Sequence, residues 1–242
     1  IGNATISQTI QNTTSLVLDG DNDYAKMDVT STNNITQITI STWVKPDYSN
    51  GSPEFTIISK EKSFELSINN NISPEKIVKF SIFDGIKWES VKSNTPILEQ
   101  WPHITSIFDG SSISIYVDGV HENTLQLSGT PVISLSGQID AESNSISSDS
   151  DIVVGAYVTS LRNNIKISNH FSGEIGDVRI FDTVLDADSI AELSSQIPGT
   201  EPIESTSTES SLDSEIIVTE ISEDVASNNP PTANNDVAST IQ

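Results

Sequence analysis

The sequence predicts an all-β protein, a sandwich or jelly roll of two antiparallel sheets. Three observations predict it. Apolar and polar residues alternate with period two in four separate segments, and that period buries one face of a strand and wets the other. Asp-Gly pairs at Asp84-Gly85, Asp109-Gly110 and Asp118-Gly119 each lie between such segments, and Asp-Gly supplies the positive φ angles of tight hairpins. Only Asp186 to Ser195 has a helical pattern.

Taken in chain order, Ile38 to Val44 comes first. It is apolar on both sides once Trp43 is counted, which predicts a central strand. Phe64, Leu66 and Ile68 then alternate with Ser63, Glu65 and Ser67. Val78, Phe80 and Ile82 alternate with Ile77, Lys79 and Ser81, and Phe80 to Val91 closes as a hairpin over Asp84-Gly85. Ile113, Ile115 and Val117 alternate with Ser112, Ser114 and Tyr116, within a three-strand meander from Ile104 to Leu127. Val178 and Ile180 alternate with Asp177, Arg179 and Phe181. The helix starts at Asp186 or Asp188 as its cap, with Ile190 and Leu193 on one face.

The 242 residues divide by composition near Pro198. Between Gly199 and Gln242 there are nine acids, no Lys or Arg, and no Trp, Tyr or Phe. Such a segment buries too little apolar surface to offset its ordering entropy, so it reads as an extended, self-repelling tail. One run in it, Glu215 to Ile221, has β character and can add to the edge of a neighbour's sheet. The whole chain carries 34 acids and 11 bases, a net charge of -23. That disfavours nucleic acid, which is held by clustered Lys and Arg, and excludes a polybasic membrane patch. No apolar stretch approaches ~18 residues, so no membrane insertion is expected. The first residues lack the basic and apolar pattern of a signal peptide, which is then expected to lie outside this sequence. With no cysteine, disulfides, thiol catalysis and cysteine-ligated metals are excluded.

Several motifs recur in a recognisable order. They are Ser15-Leu16-Val17-Leu18-Asp19-Gly20-Asp21-Asn22-Asp23-Tyr24, Ile38-Thr39-Ile40-Ser41-Thr42-Trp43-Val44-Lys45-Pro46, and Ile57-Ile58-Ser59-Lys60. Trp101-Pro102-His103-Ile104, Ile115-Tyr116-Val117-Asp118-Gly119 and Phe171 to Phe181 follow. The series resembles the laminin G-like type of concanavalin A-like jelly roll, over residues 15–197. The resemblance implies two curved antiparallel sheets of six or seven strands, ligand loops along one edge or on the concave face, and an extracellular or cell-surface setting. It gives a domain plan of an N-terminal extension (1–14), the jelly roll (15–197) and an acidic linker (198–229). Residues 230–242, with Asn229-Pro230-Pro231 before Thr232-Ala233-Asn234-Asn235-Asp236-Val237, resemble the start of a cadherin-like or Ig-like repeat.

Asp19, Asp21 and Asp23 put three carboxylates into five residues at a turn, a donor set that suits a hard cation such as calcium. The alternative is a turn whose Asp side chains bond their own backbone. The resemblance implies that a structural calcium ion ties this turn to the last strand, through Asp177. Gly176 stands where such domains often carry a second acid, which weakens that site. A second acidic group (Asp140, Glu142, Asp149, Asp151) lies in a Ser-rich loop and reads either as a weak cation site or as a charged loop.

Trp88, just past a hairpin turn, is the expected sugar platform, with Tyr48 and Tyr157 assisting; ordinary core packing is the alternative for Trp88 and the expectation for Trp43 and Trp101. His103, His121 and His170 have no metal-ligand spacing and read as surface or hydrogen-bonded histidines. Glycosidases need two carboxylates on one face of a cleft, and no single strand offers the pair: Glu174 and Asp177 have an odd separation, which expects opposite faces. The chain is therefore expected not to be an enzyme. Asn3, Asn12, Asn34, Asn50 and Asn71 are glycosylation acceptor sequons. The expected function is recognition or adhesion through glycans or surface proteins, braced by calcium. The alternative is a structural subunit of a surface layer, sheath or filament whose tail contacts other copies.

Overall fold

A computed structural model describes residues 4–8, 14–27, 34–49, 52–128, 133–134, 152–161, 164–196 and 215–216. The strands are β1 (Thr5–Gln8), β2 (Thr14–Asp19), β3 (Ala25–Met27), β4 (Asn34–Ile35), β5 (Ile38–Pro46) and β6 (Glu54–Lys60). They continue with β7 (Phe64–Asn69), β8 (Ile77–Phe83), β9 (Trp88–Pro96), β10 (His103–Phe108), β11 (Ser112–Val117) and β12 (Val120–Gln126). After β13 (Ile133–Ser134), β14 (Ile152–Val154), β15 (Tyr157–Leu161), β16 (Asn164–Ser168) and β17 (Ser172–Phe181) come the helix α1 (Ala187–Ser195) and β18 (Glu215–Ile216).

Two antiparallel sheets face each other. One runs β1-β2-β17-β5-β10-β11-β12, with β18 on β17; the other runs β3-β14-β6-β7-β8-β9. β4 pairs with β13, and β15 with β16. Between the sheets lies a core that includes Leu18, Ile40, Val44, Phe55, Phe64, Leu66, Phe80, Ile104, Phe108, Ile115 and Phe171. Each fully buried phenylalanine contributes roughly 2–3 kcal/mol of transfer free energy before entropy is counted.

The expected elements appear for local reasons. The β8–β9 turn is held by Asp84, whose Oδ1 accepts from Ile86 N and Lys87 N, both at 2.8 Å. In the β10–β11 turn, Asp109 accepts from Ser111 and Ser112 in the same way. Gly85, Gly110 and Gly119 all have positive φ. Asp186 caps α1, accepting from Ser189 N at 2.8 Å. Ile190 and Leu193 then pack with Ile107, Phe181 and Leu185 on the outer face of the eight-stranded sheet. β5 is central, between β17 and β10, and is buried along its length except at Lys45. β9 and β12 come together at the rim, where Glu122 accepts from Asn94 N and Thr95 N.

Three differences from the sequence reading have clear causes. Residues 5–8, assigned to an N-terminal extension, form an edge strand on β2. β7, expected to be wet on one side, is buried on both, its outward Glu65 and Ser67 being engaged by Thr56, Glu54 and Lys79 of the neighbouring strands. Ser59 Oγ holds the approach to β15 by donating to the Ala156 carbonyl at 2.8 Å. β17 carries a bulge between Gly176 and Arg179, with Asp177 at φ 48°. That extra residue ends the simple parity on which the facing of Glu174 and Asp177 was reckoned. The linker and the repeat-like end lie outside the described residues, apart from β18. Among the described residues no helix is long and apolar enough to cross a membrane.

Candidate functional site

The site is built on the outer face of the six-stranded sheet. Phe64, Leu66, Phe80, Ile82 and Val91 point to the core, so their neighbours point outward. The register sets Glu65 opposite both Ser59 and Ser81, Ser67 opposite Lys79, Ser81 opposite Ser90, and Lys79 opposite Lys92. A polar floor results, and its serines are paired: Ser81 and Ser90 hydroxyls are 2.8 Å apart.

A charged group stands at the deep end. Lys79 Nζ contacts Glu54 and lies 3.5 Å from Glu65 Oε2. Thr56 Oγ1 donates to Glu65 Oε1 (3.2 Å), Ser67 Oγ to Glu54 Oε1 (2.9 Å) and Asn169 Nδ2 to Glu54 Oε2 (3.2 Å). Burial raises the Glu65 pKa more than Lys79 lowers it, with the Glu54 charge adding to the rise. Burial works to lower Lys79, yet Glu65 and Glu54 outweigh it and hold the ammonium above its usual value. Tyr157, half-buried at the start of β15, feels the same carboxylates. Its phenol is raised to about 12, by burial first and then by Glu65, Glu61 and Glu54.

At the open end Trp88 sits opposite Phe83, with the rings 5.4 Å apart and tilted by 53°. Both are half-buried, and Ser90 and Lys92 beside them are exposed. The result is a shelf with an aromatic pair at one end, hydroxyls and ammonium groups along its floor, and Tyr157 at the covered end.

Two of the three sequence-expected ligand residues thus belong to this face. Tyr48 does not. Its ring stacks on Phe55 (5.8 Å, 13°), Lys76 Nζ stands 4.5 Å from its centroid, and its hydroxyl donates to the Ile97 carbonyl at 2.8 Å. Burial, then the Glu99 charge, raises its pKa. Trp43 is buried as expected, but against His103 on the outer face of the other sheet rather than between the sheets. Trp101 is half-buried, His121 bonds Thr124, and His170 Nδ1 donates to the Asp23 carbonyl.

The acidic turn and Asp177 are not brought together. The register sets Asp19 opposite Ser172, and Asp177 lies five residues further along β17, about 16 Å at a strand's rise. Asp177 is engaged by Arg179 Nε at 2.8 Å. Asp19 Oδ1 accepts from Asp21 N (2.8 Å), and Asp23 Oδ2 from Asp19 N (3.3 Å). The carboxylates serve the turn, and among the described residues no three metal-ligating side chains gather about one point. In this geometry Asp19, Asp21, Asp23 and Asp177 do not converge on one point, and whether the turn takes up calcium is a matter for titration. Added calcium or chelator is expected to move the melting temperature by less than about 2 °C; a larger shift, lost in Asp19→Asn, would restore the cation.

A cleft of about 660 Å³ does open beside the turn, lined by Asp19, Lys45, Asp47, Ser49, Glu99 and Glu174 among others. Lys45 and Glu174 pair across it at 3.0 Å. Asn71 is exposed in the β7–β8 connection and Asn34 lies in β4. Asn3, Asn12 and Asn50, and the group Asp140, Glu142, Asp149 and Asp151, lie outside the described residues.

Sequence reasoning missed Glu54, Glu65 and Lys79 as a group, because it looked for paired charges along single strands. The signal was the outward row of the β7–β8 hairpin, where Glu65, Ser67, Lys79 and Ser81 share one face.

The concanavalin A-like lectin/glucanases superfamily model matches residues 19–191. No curated protein matches the chain. Among solved structures, the botulinum neurotoxin serotype D ligand-binding domain, in complex with N-acetylneuraminic acid, aligns at 18% identity and TM-score 0.57, over 80% of this chain and 44% of that one. A candidate carbohydrate-binding protein from Bacteroides ovatus aligns at 16% identity and TM-score 0.56, over 74% and 46%. A heptameric SAP-like pentraxin from Limulus polyphemus aligns at 14% identity and TM-score 0.54, over 77% and 83%. The chain spans less than half of the first two, and at these identities the likeness is one of fold.

Proposed function

The chain belongs to the concanavalin A-like lectin/glucanases superfamily, and from that membership we propose that it is a non-catalytic glycan-binding module whose site is the shelf on the six-stranded sheet. The observation that carries this is the half-exposed Trp88–Phe83 pair beside the Ser81–Ser90 and Lys79–Lys92 rows. A sugar ring offers an apolar face and a rim of hydroxyls. It is held where an aromatic face adjoins fixed donors and acceptors. The toxin domain and the Bacteroides protein, described through sialic acid and carbohydrate, support the reading by analogy of fold.

A glycan array is the test. Trp88→Ala is expected to weaken the strongest signals about tenfold or more, with thermal stability changed little because Trp88 keeps one side in solvent. Array signals that survive Trp88→Ala unchanged would move the site elsewhere. Chromogenic glycosides are expected to stay intact, since the Glu54–Glu65 pair is tied up by Lys79. The reading sets the module in an extracellular or cell-surface setting, supported by the family and the sequons, and keeps adhesion to surface glycans or proteins as its biological use.

A second reading is favoured by one observation: the tail strand β18 pairs with the edge of β17. On this reading the chain is a structural subunit of a surface layer, sheath or filament, and the tail contacts a neighbouring copy.

A further inference from the structure

The outer face of the six-stranded sheet is covered at one end and open at the other. Ile152 and Val154 of β14 belong to the core between the sheets, so Val153 points outward. There it packs with Tyr24, Ala156, Val158 and Ile167. This small apolar cluster seats the β15–β16 hairpin on the sheet. The hairpin rises beside β6, where Ser59 Oγ donates to the Ala156 carbonyl, and Tyr157 is its first residue. From β6 to β9 three strand spacings span about 14 Å, and among the described residues no strand lies beyond β9. Exposure rises in the same direction: Ser59 and Ser67 are buried, Lys79 is half-buried, and Ser90 and Lys92 are exposed. Among the described residues the shelf thus has a wall at its β6 end and none at its β9 end.

We propose that the shelf takes the free non-reducing end of a glycan, with the terminal residue against Tyr157 and the rest of the chain leaving past the Trp88–Phe83 pair and over β9. The inference rests on the glycan-binding reading and names the part of the glycan that enters. A groove open at both ends accepts the middle of a polysaccharide, whereas a walled one admits a terminus. Glycans are joined to their carriers through their reducing ends, so the terminus free to enter is the non-reducing one. The terminal residue also keeps a hydroxyl that an internal residue has given up to a glycosidic bond. At the walled end Lys79, Glu54 and Tyr157 are each partly exposed. An ammonium, a carboxylate and a phenol offer that hydroxyl both donors and acceptors. A site built to pair with a hydroxyl strongly rejects a ligand that lacks it. A further residue attached there removes the hydroxyl and runs into the hairpin.

The probe is an array of glycans printed through their reducing ends, in which each glycan stands beside the same glycan lengthened by one residue at its non-reducing end. For signals that Trp88→Ala weakens, lengthening is expected to lower binding about fivefold or more. Tyr157→Ala trims the wall, and the ratio between the two members of a series is expected to fall at least about twofold. Tyr157→Phe keeps the ring and is expected to keep the ratio. Ratios are compared within a series, so a loss of folded protein common to both members cancels. A smaller effect of lengthening on Trp88-dependent signals would overturn the inference and leave the glycan-binding reading standing. A ratio unmoved by Tyr157→Ala would overturn it as well. Signals indifferent to Trp88→Ala, or no signal, would remove the shelf as the site and the inference with it.

Discussion

Replacing Lys79 by methionine is expected to cost about 3 kcal/mol of stability at pH 7. The Lys79 ammonium pairs with both Glu54 and Glu65, and all three side chains are largely withdrawn from solvent. Removing it leaves the two largely buried carboxylates without the ammonium they share. A broken buried pair costs more than an absent one, because the remaining charges keep their desolvation penalty. The sign with pH follows. Burial already holds the Glu65 carboxyl above its ordinary range, and without Lys79 it is raised further. A carboxyl with a raised folded pKa is favoured below its unfolded value and penalised as pH rises. The deficit relative to the parent should therefore be largest near pH 7 and shrink towards pH 4.5. Denaturant unfolding at both pH values reads this directly, and Lys79→Met with Glu65→Gln should recover most of the loss. A deficit below about 1 kcal/mol at pH 7 would mean that the group is wetter than its geometry implies.

His103 governs the opposite pH trend. Its Nε2 is 2.8 Å from Ser41 Oγ and its ring lies against Trp43, while Nδ1 is buried with no partner among the described residues. Burial lowers the imidazole to about 4, with Asp177 pulling it up and Arg179 pushing it down. His121, Tyr116 and Asp118 stand on the neighbouring strands and turn of the same sheet. The unfolded chain takes up a proton near pH 6.5, whereas the folded chain resists until about 4. Stability from this residue is therefore complete above pH 6.5 and falls by about 3 kcal/mol as pH drops to 4. His103→Gln keeps an amide to meet Ser41 but cannot titrate. Its stability is expected to be lower at pH 7 and to lose that acid slope. Equal slopes in the two proteins would show that His103 titrates in the fold as it does in water.

Local chemistry made much of the fold legible. Asp84-Gly85 and Asp109-Gly110 fix their own turns through Asp oxygens and positive φ at Gly, and Asp118-Gly119 through positive φ at both residues. Asp186 fixes its own helix start. Ile38 to Val44 announced a central strand because both of its sides are apolar. Period two says which residues share a face, but not what lies over that face. Glu65 and Ser67 were therefore expected to be wet, and both are buried. Nor does it say which distant residues meet. Glu54 and Lys79 are brought together by pairing through β7, and Asp177 is held away from the Asp19 turn by the offset of β2 along β17. Tyr48 looked available from its loop position, yet its ring is taken by Phe55 and Lys76. Trp88 was legible because the turn before it fixes its place at the start of β9.

Amide chemical-shift mapping of the 26.1 kDa chain during titration with the glycan that gives the strongest array signal goes straight to the shelf. Shifts should concentrate on β8, β9 and the start of β15, at Lys79, Ser81, Trp88, Ser90 and Tyr157, and should disappear in Trp88→Ala. Shifts confined to the α1-bearing face or to the cleft beside Asp19 would contradict the assignment.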